Sequence, residues 1–275
     1  MINYTEILFE KALIHCEKLS KHIVLEKYWD CLSLVLKGSV ARMKADEYSD
    51  IDFVFYCDEG TREEIVTAYK KHGLSNRQDN IFQFLDQWEG HYHLETFEEF
   101  ESYFDQSDFP QIWEFSTSKI LHDPNHRLEN LRKEKLELFE INVEGAIKNK
   151  YLETQLQLDW LRHPLIRGDE IASVLHSQQV IRNILQLAFL IEEKAYPHDK
   201  WIGQYLEETE FGKIYHAEIK DYVRNILDET GLEKGKPLEC YAQYTIPEKF
   251  LKDLGKEIQE KFGKRLWVEE WYFYV

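Results

Sequence analysis

Residues Leu32–Tyr56 read LSLVLKGSVARMKADEYSDIDFVFY, and the two apolar runs that meet in this stretch, Cys31–Leu36 and Ile51–Tyr56, decide the fold. Both are short and rich in aliphatic, β-branched and aromatic residues, so each is expected as a buried strand with a polar loop between them. Asp50 and Asp52 open the second strand. Side chains two apart on a strand share a face, so these carboxylates project together while Ile51 points the other way. Two carboxylates held that closely repel each other, and a divalent cation relieves the repulsion; Mg²⁺ commonly binds through one or two carboxylates plus the phosphates of a substrate. Gly38 lets the backbone approach a phosphate with no Cβ in the way, and Ser39 adds a hydroxyl and a backbone N–H as donors. Together these groups suit a nucleoside triphosphate. An ordinary turn and two solvated carboxylates are the plainer reading, but Asp is depleted in strands, and two of them abutting FVFY are hard to explain by folding alone.

Outward from this stretch, apolar residues at Ile7, Leu8, Ala12, Cys16 and Leu19 predict an amphipathic helix over Tyr4–Ser20. Thr61 with Glu64 reads as a capping box and Gly73 as a stop, giving a helix over Thr61–His72. Ile81–Leu85 and Tyr92–Thr96 flank Gly90 and are expected to form a hairpin. From about Leu128 the pattern becomes helical. Ile171, Val174, Leu175, Ile181, Ile184, Leu185 and Ala188 line one face of a helix expected over Asp169–Glu192, pointing to a bundle. The highly charged segment between His122 and Glu140 is read as the domain boundary, with domains at 1–135 and 136–275. The expected class is α+β: a small mixed-sheet domain followed by an α-helical bundle domain.

Among the 275 residues, 34 Lys and Arg stand against 51 Asp and Glu, a formal charge of −17. That balance argues against a nucleic-acid partner, whose phosphates would need many basic residues. The content of 43% hydrophobic and 14% aromatic residues is that of a folded globular protein. Cys16, Cys31, Cys57 and Cys240 show no CxxC spacing, and the acidic amphipathic N-terminus is unlike a signal peptide, so a cytoplasmic chain with reduced thiols is expected. No apolar run approaches the roughly 18 residues of a membrane span.

The set Gly38-Ser39, a loop, Ser49-Asp50-Ile51-Asp52 and an apolar strand resembles the signature of the polymerase-β-like nucleotidyltransferase superfamily. The small first domain and helical second domain resemble the adenylyltransferases that modify aminoglycosides and lincosamides, and KILHDPNHRLENL looks like the segment closing the catalytic domain in some members. The resemblance implies Mg²⁺ at Asp50 and Asp52, ATP as donor and a small-molecule hydroxyl as acceptor. It also implies a third carboxylate on a neighbouring strand, for which Glu95 in HYHLETF is the match, 43 positions after Asp52. Glu95 would complete the metal site or serve as general base; a surface strand Glu is the bland alternative. His91, His93 and Glu95 share a strand face, which raises a zinc reading, but a strand alone supplies no fourth ligand.

For the nucleotide's phosphates the candidates are Arg42 in the loop and Lys200 in KAYPHDKWIGQYL, where a solvated lysine is an equal reading; Trp201 reads as core. The C-terminal LWVEEWYFYV, with Trp267, Trp271, Tyr272, Phe273 and Tyr274, is expected to pack on the bundle or across a homodimer interface. Its Glu269 and Glu270 set acid beside aromatics, as a cationic ligand would favour. The overall acidity points the same way, toward an aminoglycoside-like acceptor; the resemblance implies a part in antibiotic resistance. The competing readings are a nucleotide-binding regulatory module without turnover and a transferase that modifies protein, including a toxin–antitoxin component.

Overall fold

The computed structural model describes residues 3–74, 81–228 and 234–275. Helix α1 (Tyr4–Ser20) has the bounds its spacing predicts, and the Asn3 side chain caps it by accepting from the Glu6 N–H at 3.3 Å. A 3₁₀ turn over Leu25–Cys31 then delays the first strand, so β1 is Ser33–Lys37 rather than Cys31–Leu36. It runs directly into a short helix, α2 (Gly38–Ala41), and the loop returns as β2 (Ile51–Cys57).

Helix α3 (Glu59–Lys71) begins ahead of Thr61, with Asp58 at its N-cap, so Thr61 and Glu64 lie inside the helix and form no capping box. Its other end is as expected. Gly73 takes φ +67°, and the Gly73 and Leu74 N–H groups donate to the Lys70 and Tyr69 carbonyls at 3.1 and 2.9 Å, the pattern by which a left-handed residue closes a helix. A capping box forms instead at Thr96, the end of an expected strand. Thr96 Oγ1 accepts from the Glu99 N–H at 3.0 Å, and the Glu99 carboxylate accepts from the Thr96 N–H at 2.7 Å.

The hairpin around Gly90 consists of β3 (Phe82–Phe84) and β4 (Gly90–Thr96). Three further elements follow: α4 (Phe97–Asp105), α5 (Phe109–Ser116) and β5 (Lys119–His122). The sheet order is β3-β4-β2-β1-β5, with β2 and β4 parallel and the other pairs antiparallel. Both faces are covered, which is why β2 reads as an unbroken apolar run. Leu34, Leu36, Phe53, Phe55 and Leu94 belong to a core shared with Ala12, Leu19, Ile65 and Tyr69. Val35, Val54 and Tyr56 belong to another, with Phe97, Phe100, Phe115 and Leu128.

The rest of the chain is helical: α6 (Arg127–Arg167), α7 (Glu170–Ile191), α8 (Asp199–Tyr205), α9 (Glu210–Asp228), α10 (Ala242–Phe262) and α11 (Leu266–Glu269). The class is α+β, a five-stranded mixed sheet followed by a helical region. Two compact units divide between Leu138 and Phe139, inside α6. In the second unit α7 packs against α9 and α10. Its expected stripe fails at the start, where Ile171 and Leu175 are exposed and Ser173 and Ser177 face inward, because the buried face lies one or two positions round the helix. Of the C-terminal aromatics, Trp267 is buried, its ring 5.7 Å from that of Tyr151, while Tyr272, Phe273 and Tyr274 are exposed. Among the described residues no helix is long and apolar enough to cross a membrane, and the four cysteines are free.

Gly90 opens β4 in close contact with β2: a Cβ there would overlap the Ile51 carbonyl oxygen. Gly90→Ala is therefore expected to cost about 2–3 kcal/mol by forcing the strands apart. Urea denaturation measures this, and an unchanged midpoint would contradict it. Thr96→Ala removes one half of the capping box and is expected to cost about 1 kcal/mol in the same assay.

Candidate functional site

The acid pair forms at the end of the sheet where β1 stops and β2 begins. Antiparallel pairing sets Lys37, the last residue of β1, beside Asp52. Gly38 then turns the chain with φ +74°, and a Cβ on it would collide with Asp52 Oδ2. The glycine is thus required twice, by its backbone angle and by the carboxylate it leaves room for. Ser39 follows within α2 and is buried. Asp50 is exposed just ahead of β2, and Asp52 is partly buried.

Parallel pairing of β2 with β4 sets His91 beside Asp52 and Glu95 beside Tyr56. His91, His93 and Glu95 share a face of β4, as their spacing predicts, with Tyr92 and Leu94 buried on the other. His91 Nδ1 stands 3.4 Å from Asp52 Oδ1 and 3.7 Å from Asp50 Oδ2. Among the described residues, Asp50, Asp52 and His91 form a group whose donor atoms all lie within 4.8 Å of one another. Glu95 is not part of it. Its Oε1 meets His93 Nε2 at 2.9 Å, and its Oε2 accepts from the Tyr103 hydroxyl at 2.8 Å.

The two acids are in opposite electrostatic situations. Burial pushes the Asp52 carboxyl above its ordinary range and the charge of Asp50 pushes it further, while His91 and Lys37 only partly offset this. Burial also acts to raise Glu95, but the hydrogen bond from His93, the charge of Lys37 and the hydrogen bond from Tyr103 outweigh it and hold that carboxyl below the usual range. Asp52 therefore carries negative charge its surroundings do not fully compensate, while Glu95 is stabilised as an anion where it stands. Two carboxylates and an imidazole converging at such distances are a donor set that fits a divalent cation.

Of the other expected groups, Arg42 ends α2 with its guanidinium 4.6 Å from the centre of the Trp113 ring. Lys200 is in the second unit, exposed in the first turn of α8, with its Nζ 5.7 Å from the Trp201 ring; Trp201 is half-buried. Sequence reasoning missed Lys37 and the residues α5 brings to it. Its buried Nζ lies 3.3 Å from Glu114 Oε2 and donates to Gln111 Oε1 at 3.4 Å. The available signal was a charged residue ending an otherwise apolar strand immediately before Gly38. Spacing alone groups His91 with His93 and Glu95, because the strand pairing that brings it to the aspartates cannot be read from spacing.

The family model described as Nucleotidyltransferase domain matches residues 20–138, and one described as Domain of unknown function (DUF4037) matches residues 106–202. No curated protein matches the chain. Among solved structures, one similar to this chain is a nucleotidyltransferase-like protein from Exiguobacterium sibiricum 255-15, at 10% identity and a TM-score of 0.47, covering 90% of this chain and 75% of that one. So distant a likeness carries no argument about chemistry. The match over residues 20–138 takes in the five strands together with Gly38, Ser39, Asp50, Asp52 and His91. Residues 20–138 thus form a nucleotidyltransferase domain of the polymerase-β-like kind.

Proposed function

We propose that the chain transfers AMP from ATP to a hydroxyl of a small cationic molecule and releases pyrophosphate. The observation that carries this reading is the convergence of Asp50 and Asp52 beside Gly38, whose missing Cβ leaves the Asp52 carboxylate room at the strand mouth. A divalent cation held there, Mg²⁺ on the sequence reading, would polarise the α-phosphate and offset charge on the attacking and leaving oxygens.

The chain's own groups bind and orient the reactants. Gly38 lets a phosphate approach the backbone, and the Ser39 N–H and hydroxyl are donors to it. Arg42 is assigned to the triphosphate and the departing pyrophosphate, where a positive charge counts most in the transition state. Buried Lys37, between Asp52 and Glu114, keeps the acids of this region from repelling the nucleotide outright. The acceptor oxygen attacks the α-phosphorus, the bond to the β-phosphate oxygen breaks, and the acceptor's proton passes to a base. The sequence candidate for that base, Glu95, has both oxygens engaged by His93 and Tyr103, so one of these must be displaced before it takes the proton. The net charge of −17 supports a cationic acceptor, since it raises the local concentration of amines and lowers that of anions.

Incubating the chain with a divalent cation and α-labelled ATP, over a panel of aminoglycosides, lincosamides and neutral polyols, tests the assignment. Label on an amine-bearing acceptor with release of pyrophosphate is the expected result. Label on protein would point to a protein-modifying transferase, and nucleotide binding without release across the panel would point to a regulatory module. Asp52→Asn is expected to lower turnover about 10²–10³-fold. Because the folded state raises the Asp52 pKa, the ionised carboxylate counts against the fold at neutral pH, so the variant's Tm is expected not to fall. Wild-type turnover in the variant, or loss of activity that merely tracks loss of folded protein, would remove Asp52 from the site.

A further inference from the structure

We propose that the His91 imidazole is a ligand of the cation held by Asp50 and Asp52, and that this nitrogen turns the site from Mg²⁺ toward a first-row transition ion, Mn²⁺. The inference rests on the divalent-cation reading above and names the ion that reading leaves open.

The place of a third carboxylate is taken by an imidazole. Parallel pairing puts His91 directly across from Asp52, whereas Glu95 pairs with Tyr56. Four residues of strand separate the two positions on β4, about 13 Å of backbone. Glu95 is also fastened to His93 and Tyr103 through both of its oxygens.

The imidazole is aimed at the pair. Its Nδ1 is 3.4 Å from an Asp52 oxygen and 3.7 Å from an Asp50 oxygen. Ligand atoms sharing one ion at bonds of about 2.1–2.2 Å stand about 3–4.4 Å apart, so these spacings need little adjustment to close on a cation. Two features hold the ring in place. The Phe82 ring stacks on it at 4.7 Å between centroids and 28° between planes. Gly90, the residue before it, lets β4 approach the Ile51 backbone more closely than any side chain would allow, which sets the strands' separation beside Asp52.

The chemistry then follows from the donors. Mg²⁺ takes oxygen ligands and gives up its water reluctantly, so exchanging a carboxylate for an imidazole removes a preferred donor and a negative charge. First-row transition ions accept imidazole readily, and Mn²⁺ also suits the two carboxylates that remain.

The test is direct binding of Mn²⁺ to the full chain without nucleotide, followed by electron paramagnetic resonance, with Mg²⁺ as competitor. Wild type is expected to bind Mn²⁺ with ¹⁴N modulation in the electron spin echo, and to need about tenfold or more Mg²⁺ over Mn²⁺ for half displacement. His91→Asp, which restores a third carboxylate, is expected to lose the ¹⁴N modulation and to shift the Mn²⁺-to-Mg²⁺ preference toward Mg²⁺ by about tenfold. Mn²⁺ bound in wild type without ¹⁴N modulation and lost in Asp52→Asn would leave the metal site standing and make His91 only a counter-charge to the acids, overturning the proposal. Modulation that persists in His91→Asp would overturn it as well, by assigning the nitrogen elsewhere. No binding of either ion to wild type would remove the cation reading itself, and this inference with it.

Discussion

Asp52 sits between two glycines whose missing side chains leave room for it and for its strand. On one side, a Cβ at Gly38 would occupy the space of its carboxylate; on the other, a Cβ at Gly90 would strike the backbone next to it. Close-packed interiors yield little to such collisions. The Gly90 contact therefore sets how near the start of β4 comes to β2 at its acidic end, and the position of His91 beside Asp52 depends on that spacing.

The resulting site concentrates charge where the sheet is least able to compensate it. Asp50 is exposed and Asp52 partly buried, and burial of the second beside the first makes its ionised form unfavourable. Such a pair survives folding only because the rest of the unit is stable enough to carry it, through apolar cores on both faces of the sheet. Lys37 contributes from the adjoining strand while ion-paired to Glu114 on α5. Glu95, four residues along β4 from His91, is the contrasting case: its partners stabilise the anion. One strand face thus carries an acid held as an anion by its neighbours and a histidine turned toward Asp52, whose burial disfavours its anion.

Much of this was legible in the residues themselves. The limits of α1, the buried run of β2, the hairpin around Gly90, the stop at Gly73 and the shared face of His91, His93 and Glu95 all follow from local rules of period and backbone angle. Misreadings arose where two local signals compete. Thr61 and Glu64 have the spacing of a capping box, yet Thr96 and Glu99 form the real one, because the chain leaves β4 at Thr96. Ile171 and Leu175 extend an apolar stripe on paper, but α7 turns Ser173 and Ser177 inward at that end. Elements as short as β5 carry too few residues to show a period at all.

The sequence by itself determined that two aspartates share one face of a strand next to a Gly-Ser turn, because that depends only on the two-residue period of a strand and on glycine's freedom. Which third group stands with them was decided by tertiary structure alone. Residues separated by some forty positions meet through strand register, and register is settled by how two sheet edges and their covering helices fit, not by any local preference. The match by residue type pointed to Glu95; the pairing of β2 with β4 brings His91.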